Sequence, residues 1–138
     1  MDTRLNGTII ALRAAVGLMA TFAGLDKFFN LLTNWEAYVA PAAQQLLPFS
    51  ATTLMAIVGV IEFAVGIAIL AIRPSLGAFV ASAWLVLVAA NLVLGGHFDI
   101  AVRDVVLAIA AYALARFEQV RENAPSAAPV GQRRTVTA

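Results

Sequence analysis

Glu62 is the residue hardest to reconcile with its neighbours. It is a lone carboxylate among Ile57, Val58, Phe63 and Val65. An ionised group in such surroundings is costly unless an opposite charge or a proton answers it. Arg13, Arg103 and Asp104, with the polar Asn91, interrupt other apolar runs, while Asp26, Lys27, His97 and Asp99 stand at the ends of such runs. Two kinds of chemistry are open to this set. Glu62 or Asp104 could exchange a proton with a ligand, and Arg103 or Lys27 could polarise a carbonyl. Each feature also has a plainer use. Asp99 and Arg103 are one helical turn apart, the spacing of a structural ion pair. Asp26-Lys27 suits a membrane boundary, and His97 after Gly95-Gly96 suits a surface turn. Asn91 can link two helices by hydrogen bonds, and Glu62 itself can be half of a buried bridge.

The composition says where these residues must work. The chain has 138 residues, of which 62% are hydrophobic and 12% charged, with a mean hydropathy of +0.88. Soluble domains run at about 45–50% apolar and about 25% charged. So small a chain cannot bury that much apolar surface in one water-soluble core, which argues against an ordinary soluble enzyme. The net charge of +1 gives no field for a polyanion, and no nucleic-acid partner is expected. Cysteine is absent and His97 is the single histidine, which argues against thiol chemistry, iron–sulfur clusters, bis-histidine haem and conventional zinc sites. The lipid bilayer is the first partner.

A crossing helix needs about 20 mostly apolar residues. Four stretches qualify, at about Ile9–Phe29, Thr52–Ile72, Leu76–Gly96 and Ile100–Phe117. Arg73-Pro74-Ser75 makes a short turn between the second and third, and Gly95-Gly96-His97 closes the third. The fold class expected is all-α: an integral membrane antiparallel four-helix bundle. Between its first two helices, Asn34–Val39 should form a short interfacial segment, with Asn34 as a cap and Trp35 and Tyr38 at headgroup level. Residues 1–117 are the transmembrane domain. From Glu118 onward, residues 118–138 are expected to be a disordered cytoplasmic tail, polar and without an apolar face. Arg13 interrupts the first apolar run, so that run is expected to be retained as a span and not cleaved as a signal peptide. Arg4, Arg73, Arg116, Arg121, Arg133 and Arg134 gather on one side, which makes both termini cytoplasmic.

Depth follows from a rise of about 1.5 Å per residue. Glu62 falls near the middle of its span, Asn91 in the outer half, and Arg103 and Asp104 just outside the midplane. These four could converge beneath Asp26, Lys27 and His97. Arg13, in the cytoplasmic half, either snorkels to the surface or reaches a core carboxylate. Gly17 and Gly24, like Gly59 and Gly66, are seven residues apart and would let two helices approach closely.

Read in order, Leu12-Arg13, Gly17, Phe22-Ala23-Gly24-Leu25-Asp26-Lys27-Phe28, Gly59-Val60-Ile61-Glu62, Gly66 and Phe98-Asp99-Ile100-Ala101-Val102-Arg103-Asp104 resemble the DoxX family of small four-span bacterial membrane proteins, over about Leu5 to Arg116. The resemblance implies a four-helix membrane bundle. Some members are associated with quinone-linked oxidation of sulfur compounds, others with redox stress, and distant eukaryotic relatives with receptor assembly or cargo export. Matched position by position, it points to Arg13, Lys27, Glu62, Arg103 and Asp104. Two functions then stand side by side. One is a quinone- or redox-associated subunit with a polar intramembrane site, a quinone as ligand, and electrons supplied by a membrane or redox partner protein. The other is a non-catalytic accessory or assembly subunit of a larger membrane complex, with a second copy of the chain as a further partner. A transporter is less attractive without an inverted repeat, and an enzyme acting alone is the weakest reading.

Overall fold

The computed structural model describes residues 3–124. They form α1 (Thr3–Asp26), a 3-10 turn (Trp35–Tyr38), α2 (Pro41–Leu46), α3 (Ala51–Ile67) running on as a π-helix (Ala68–Ile72), α4 (Pro74–Leu94) and α5 (Phe98–Glu122). No strand occurs among the described residues. Among the described residues, three helices are long and apolar enough to cross a membrane: Leu5–Asp26, Ala51–Ile72 and Pro74–Leu94.

Local chemistry accounts for the boundaries. Ser50 caps α3, its hydroxyl accepting the amide of Thr53 at 3.2 Å. At the other end Pro74 has no N–H for the carbonyl of Leu70, and the Arg73 amide turns back to Ala68 O at 2.9 Å. The carbonyls of Ile69 and Leu70 therefore lose their usual partners. α4 starts on that proline and ends in a Schellman motif: the Gly96 amide donates to Val93 O and the His97 amide to Leu92 O. Gly96 has φ +80°, the left-handed conformation that this motif asks of the residue.

Two expectations need correction here. The chain from Glu118 is not a tail, because α5 continues to Glu122 and Glu118 is only 1% exposed. Its carboxylate lies among arginines from two helices, a long-range cause that local polarity did not reveal. Residues 125–138 lie outside the described residues. The short element after Asn34 is present as a 3-10 turn, but the Asn34 side chain makes no capping bond. The helix that follows, α2, was not anticipated.

Glycines set how α1 and α3 meet. A Cβ on Gly24 would stand 2.5 Å from the Phe63 amide nitrogen and 2.7 Å from Gly59 O, and one on Gly17 would strike the Leu70 side chain. Lys27 lies beside Gly59 and Arg13 beside Ile69 and Leu70. The two helices are thus staggered. Ala51–Val58, about two turns of α3, extend past the end of α1, and the first turns of α1 extend past the end of the π-helix. α4 packs mainly on α5, with Ala78, Ala81, Ala108 and Ala111 buried. The densest core, Ile9, Val16, Ile69 and Leu114 with small neighbours, gathers around the π-helix end.

The connection Asn30–Ser50 does not lie flat across the helix ends. It starts beside Lys27, lays Trp35 over that ammonium and passes Asn91, with Val39 and Ala40 buried.

Candidate functional site

Lys27 follows the last turn of α1, and Glu62 sits midway along α3. The Gly24–Gly59 approach brings them together, with Lys27 Nζ 2.5 Å from Glu62 Oε2 and side-chain exposures of 4% and 14%. Around the pair stand both tryptophans of the chain. Lys27 Nζ lies 3.8 Å from the centre of the Trp35 ring, a cation–π contact. Trp84, from the middle of α4, donates its Nε1–H to Glu62 Oε1 at 3.4 Å. Trp35 is held in place by Asp26, whose Oδ2 accepts the Trp35 Nε1–H at 2.7 Å. The same carboxylate accepts the amides of Leu31 and Leu32.

Hydrogen-bonding capacity remains at the pair. Lys27 offers three N–H groups. One goes to Glu62 and one to Ala23 O at a long 3.4 Å. An acceptor replacing that long contact would gain a better-placed donor.

Asn91 and His97 belong to a separate group. Asn91 Oδ1 accepts the Ala40 amide at 3.1 Å and its Nδ2 donates to Tyr38 O at 2.8 Å. The Tyr38 ring meets the His97 ring edge-on at 5.0 Å. Asn91 thus does act as hydrogen-bonding glue, although it ties a loop to α4 and not helix to helix.

Arg103 and Asp104 form a third group. Arg103 Nε and Nη2 each lie 3.1 Å from Asp104 Oδ1. Asp104 is buried, while the Arg103 side chain is 61% exposed. The anticipated Asp99–Arg103 pair is replaced by this one: the guanidinium folds toward the neighbouring carboxylate, which faces the protein. Arg103 turns outward on α5, while Glu62 takes Lys27 and Trp84 as partners and Asn91 takes Ala40 and Tyr38.

Arg13 takes the carboxylate alternative. Its Nη1 lies 3.8 Å from Glu118 Oε1, and its Nε donates to Ile69 O at 2.9 Å and its Nη2 to Leu70 O. Those are the two carbonyls stranded by Pro74 and the π turn. Arg121 Nε approaches the other side of Glu118 at 3.4 Å. Sequence reasoning missed Glu118; its place three residues before Arg121 was the available signal. Among the described residues, no three of His, Asp and Glu gather closely enough to hold a metal ion.

The chain matches no protein-family model, no curated protein and no solved structure.

Proposed function

We propose that the chain is a DoxX-like integral membrane protein, an antiparallel bundle of four spans in the bacterial cytoplasmic membrane with both termini cytoplasmic. α5 serves as the fourth span. Its 25 residues are long enough, and its interior acids Asp104 and Glu118 both meet arginines. Arg73, Arg116 and Arg121 mark the cytoplasmic side.

Within this frame the protein is a quinone- or redox-associated subunit whose polar intramembrane site is the Lys27–Glu62 pair. The single observation that carries the reading is that pair itself: a hydrogen-bonded lysine and carboxylate, midway along an apolar helix, between two tryptophan rings. The donor set fits a quinone head. Lys27 would hold a carbonyl oxygen, Glu62 would hold or release the accompanying proton, and Trp35 and Trp84 would flank a flat ring and exclude water. When bound, a quinone supplies the electron-accepting chemistry that no side chain here can, with electrons coming from a partner protein. The test is thermal unfolding of the purified protein in detergent. A short-tailed quinone should raise the Tm of the wild type and leave Glu62→Gln unmoved; an unmoved wild type overturns the reading.

A second reading, a non-catalytic accessory subunit, is favoured by a different observation. Lys27, Glu62, Arg13, Glu118 and Asp104 all find an opposite charge inside the chain. The polar groups would then only fix the bundle's geometry. This predicts a stable membrane partner that still co-purifies with Glu62→Gln.

A further inference from the structure

We propose that the turn Phe28–Leu32 is embedded in the outer half of the bilayer, with Phe29, Leu31 and Leu32 against lipid acyl chains, as the irregular end of the first span. The proposal rests on α3 and α4 spanning the membrane and is independent of any quinone.

Register gives the depth. Lys27 and Phe28 lie against Gly59, eight residues inside the start of α3, or about 12 Å at the helical rise. α3 and its π extension cover Ala51–Ile72, about the thickness of the hydrocarbon core, so Ala51 stands near its outer edge. The chain leaves α1 well inside the apolar layer and must return to the surface from there. The turn's exposed side chains are mostly apolar, with Phe29 at 68%, Leu31 at 84% and Leu32 at 72%, and Asn30 is the one exposed polar residue among them. In water such a cluster would be a liability; in lipid it is ordinary.

Irregular backbone at that depth needs its polar groups answered by protein. Asp26 answers amides of the turn, its carboxylate accepting the Leu31 amide at 3.0 Å and the Leu32 amide at 3.0 Å, while its carbonyl accepts the amide of Asn30 at 2.7 Å. Asn30 takes the left-handed conformation, φ +51°, that reverses the chain. On the returning limb Asn91 takes the Ala40 amide and the Tyr38 carbonyl. Asp26 and Asn91 are thereby the two pins of the segment.

The chain has no cysteine, so single-cysteine variants can be spin-labelled cleanly. Leu31→Cys and Leu32→Cys would be reconstituted in phosphatidylcholine vesicles, beside Val60→Cys on the exposed face of α3 and Asn123→Cys beyond the end of α5. Collision with oxygen, which favours lipid, is compared with collision with a water-soluble nickel chelate. The Leu31 and Leu32 labels should behave like Val60, with an oxygen-to-nickel ratio several-fold above that at Asn123. A ratio like that of Asn123 overturns the proposal. So does low collision with both reagents, which would mean that protein, such as a second copy, covers the turn. If Val60 itself reads as aqueous, the spanning role of α3 falls, and this proposal with it.

Discussion

Lys27, just past the end of α1, reaches Glu62, halfway along α3, with Nζ 2.5 Å from Oε2. The end of one helix therefore lies level with the middle of the next. That stagger places a charge pair deep between tryptophans, and it leaves room for the connecting segment to fold inward.

Removing one partner of a buried pair strands the other. Lys27→Met should cost about 3–5 kcal/mol of stability. The double variant Lys27→Met, Glu62→Leu should recover much of that loss, because no charge is then left unpaired. Chemical unfolding in detergent micelles measures both; a single variant as stable as the wild type would show that the pair is not buried in the working protein.

The helix contact beneath the pair is equally specific. A methyl on Gly24 would meet backbone atoms of Phe63 and Gly59, which cannot turn aside, whereas one on Gly7 meets nothing within 4 Å. Gly24→Ala should destabilise by about 1–3 kcal/mol through overpacking. Gly7→Ala should be neutral or stabilising by up to about 1 kcal/mol from helix propensity. Equal effects at the two sites would refute the close α1–α3 approach.

Arg13 closes the other end of α3 by serving the carbonyls of Ile69 and Leu70 while facing Glu118. Hydrogen bonds to a charged group contribute about 1.5–3 kcal/mol. Arg13→Ala should therefore loosen the π-helix, read as faster amide hydrogen exchange at Ile72 and Arg73. Arg13→Lys should restore only part of the protection, because an ammonium lacks the planar fork that spans these acceptors. Unchanged exchange in Arg13→Ala would mean the cap is not formed.

Asp104 is 5% exposed and depends on Arg103. Arg103→Gln should destabilise the protein, and adding Asp104→Asn should relieve the loss. A double-mutant cycle with no coupling would remove the pair from consideration.

Much of this architecture is legible in the sequence. Pro74 and the Gly95-Gly96 pair announce the ends of α3 and α4, and the spaced glycines announce close helix packing without saying which helices meet. Side-chain partners are less legible, because helical spacing says which groups share a face and not how far one helix slides along another. A slide of two turns set Lys27 beside Gly59 and Glu62, with Trp35 over its ammonium. Arg103 had Asp99 one turn away, yet it chose Asp104, whose burial comes from packing on other elements. Glu118 looked like the start of a polar tail because the arginine that buries it, Arg13, lies more than a hundred residues earlier.

The chain's only two tryptophans flank the Lys27–Glu62 pair, so their emission reports on that site alone. Titration of the purified protein with a short-tailed quinone should quench it along a saturable curve in the wild type, and Glu62→Gln should abolish the saturable part. A linear, unsaturable loss of emission, the same in both proteins, would contradict a quinone site at this pair.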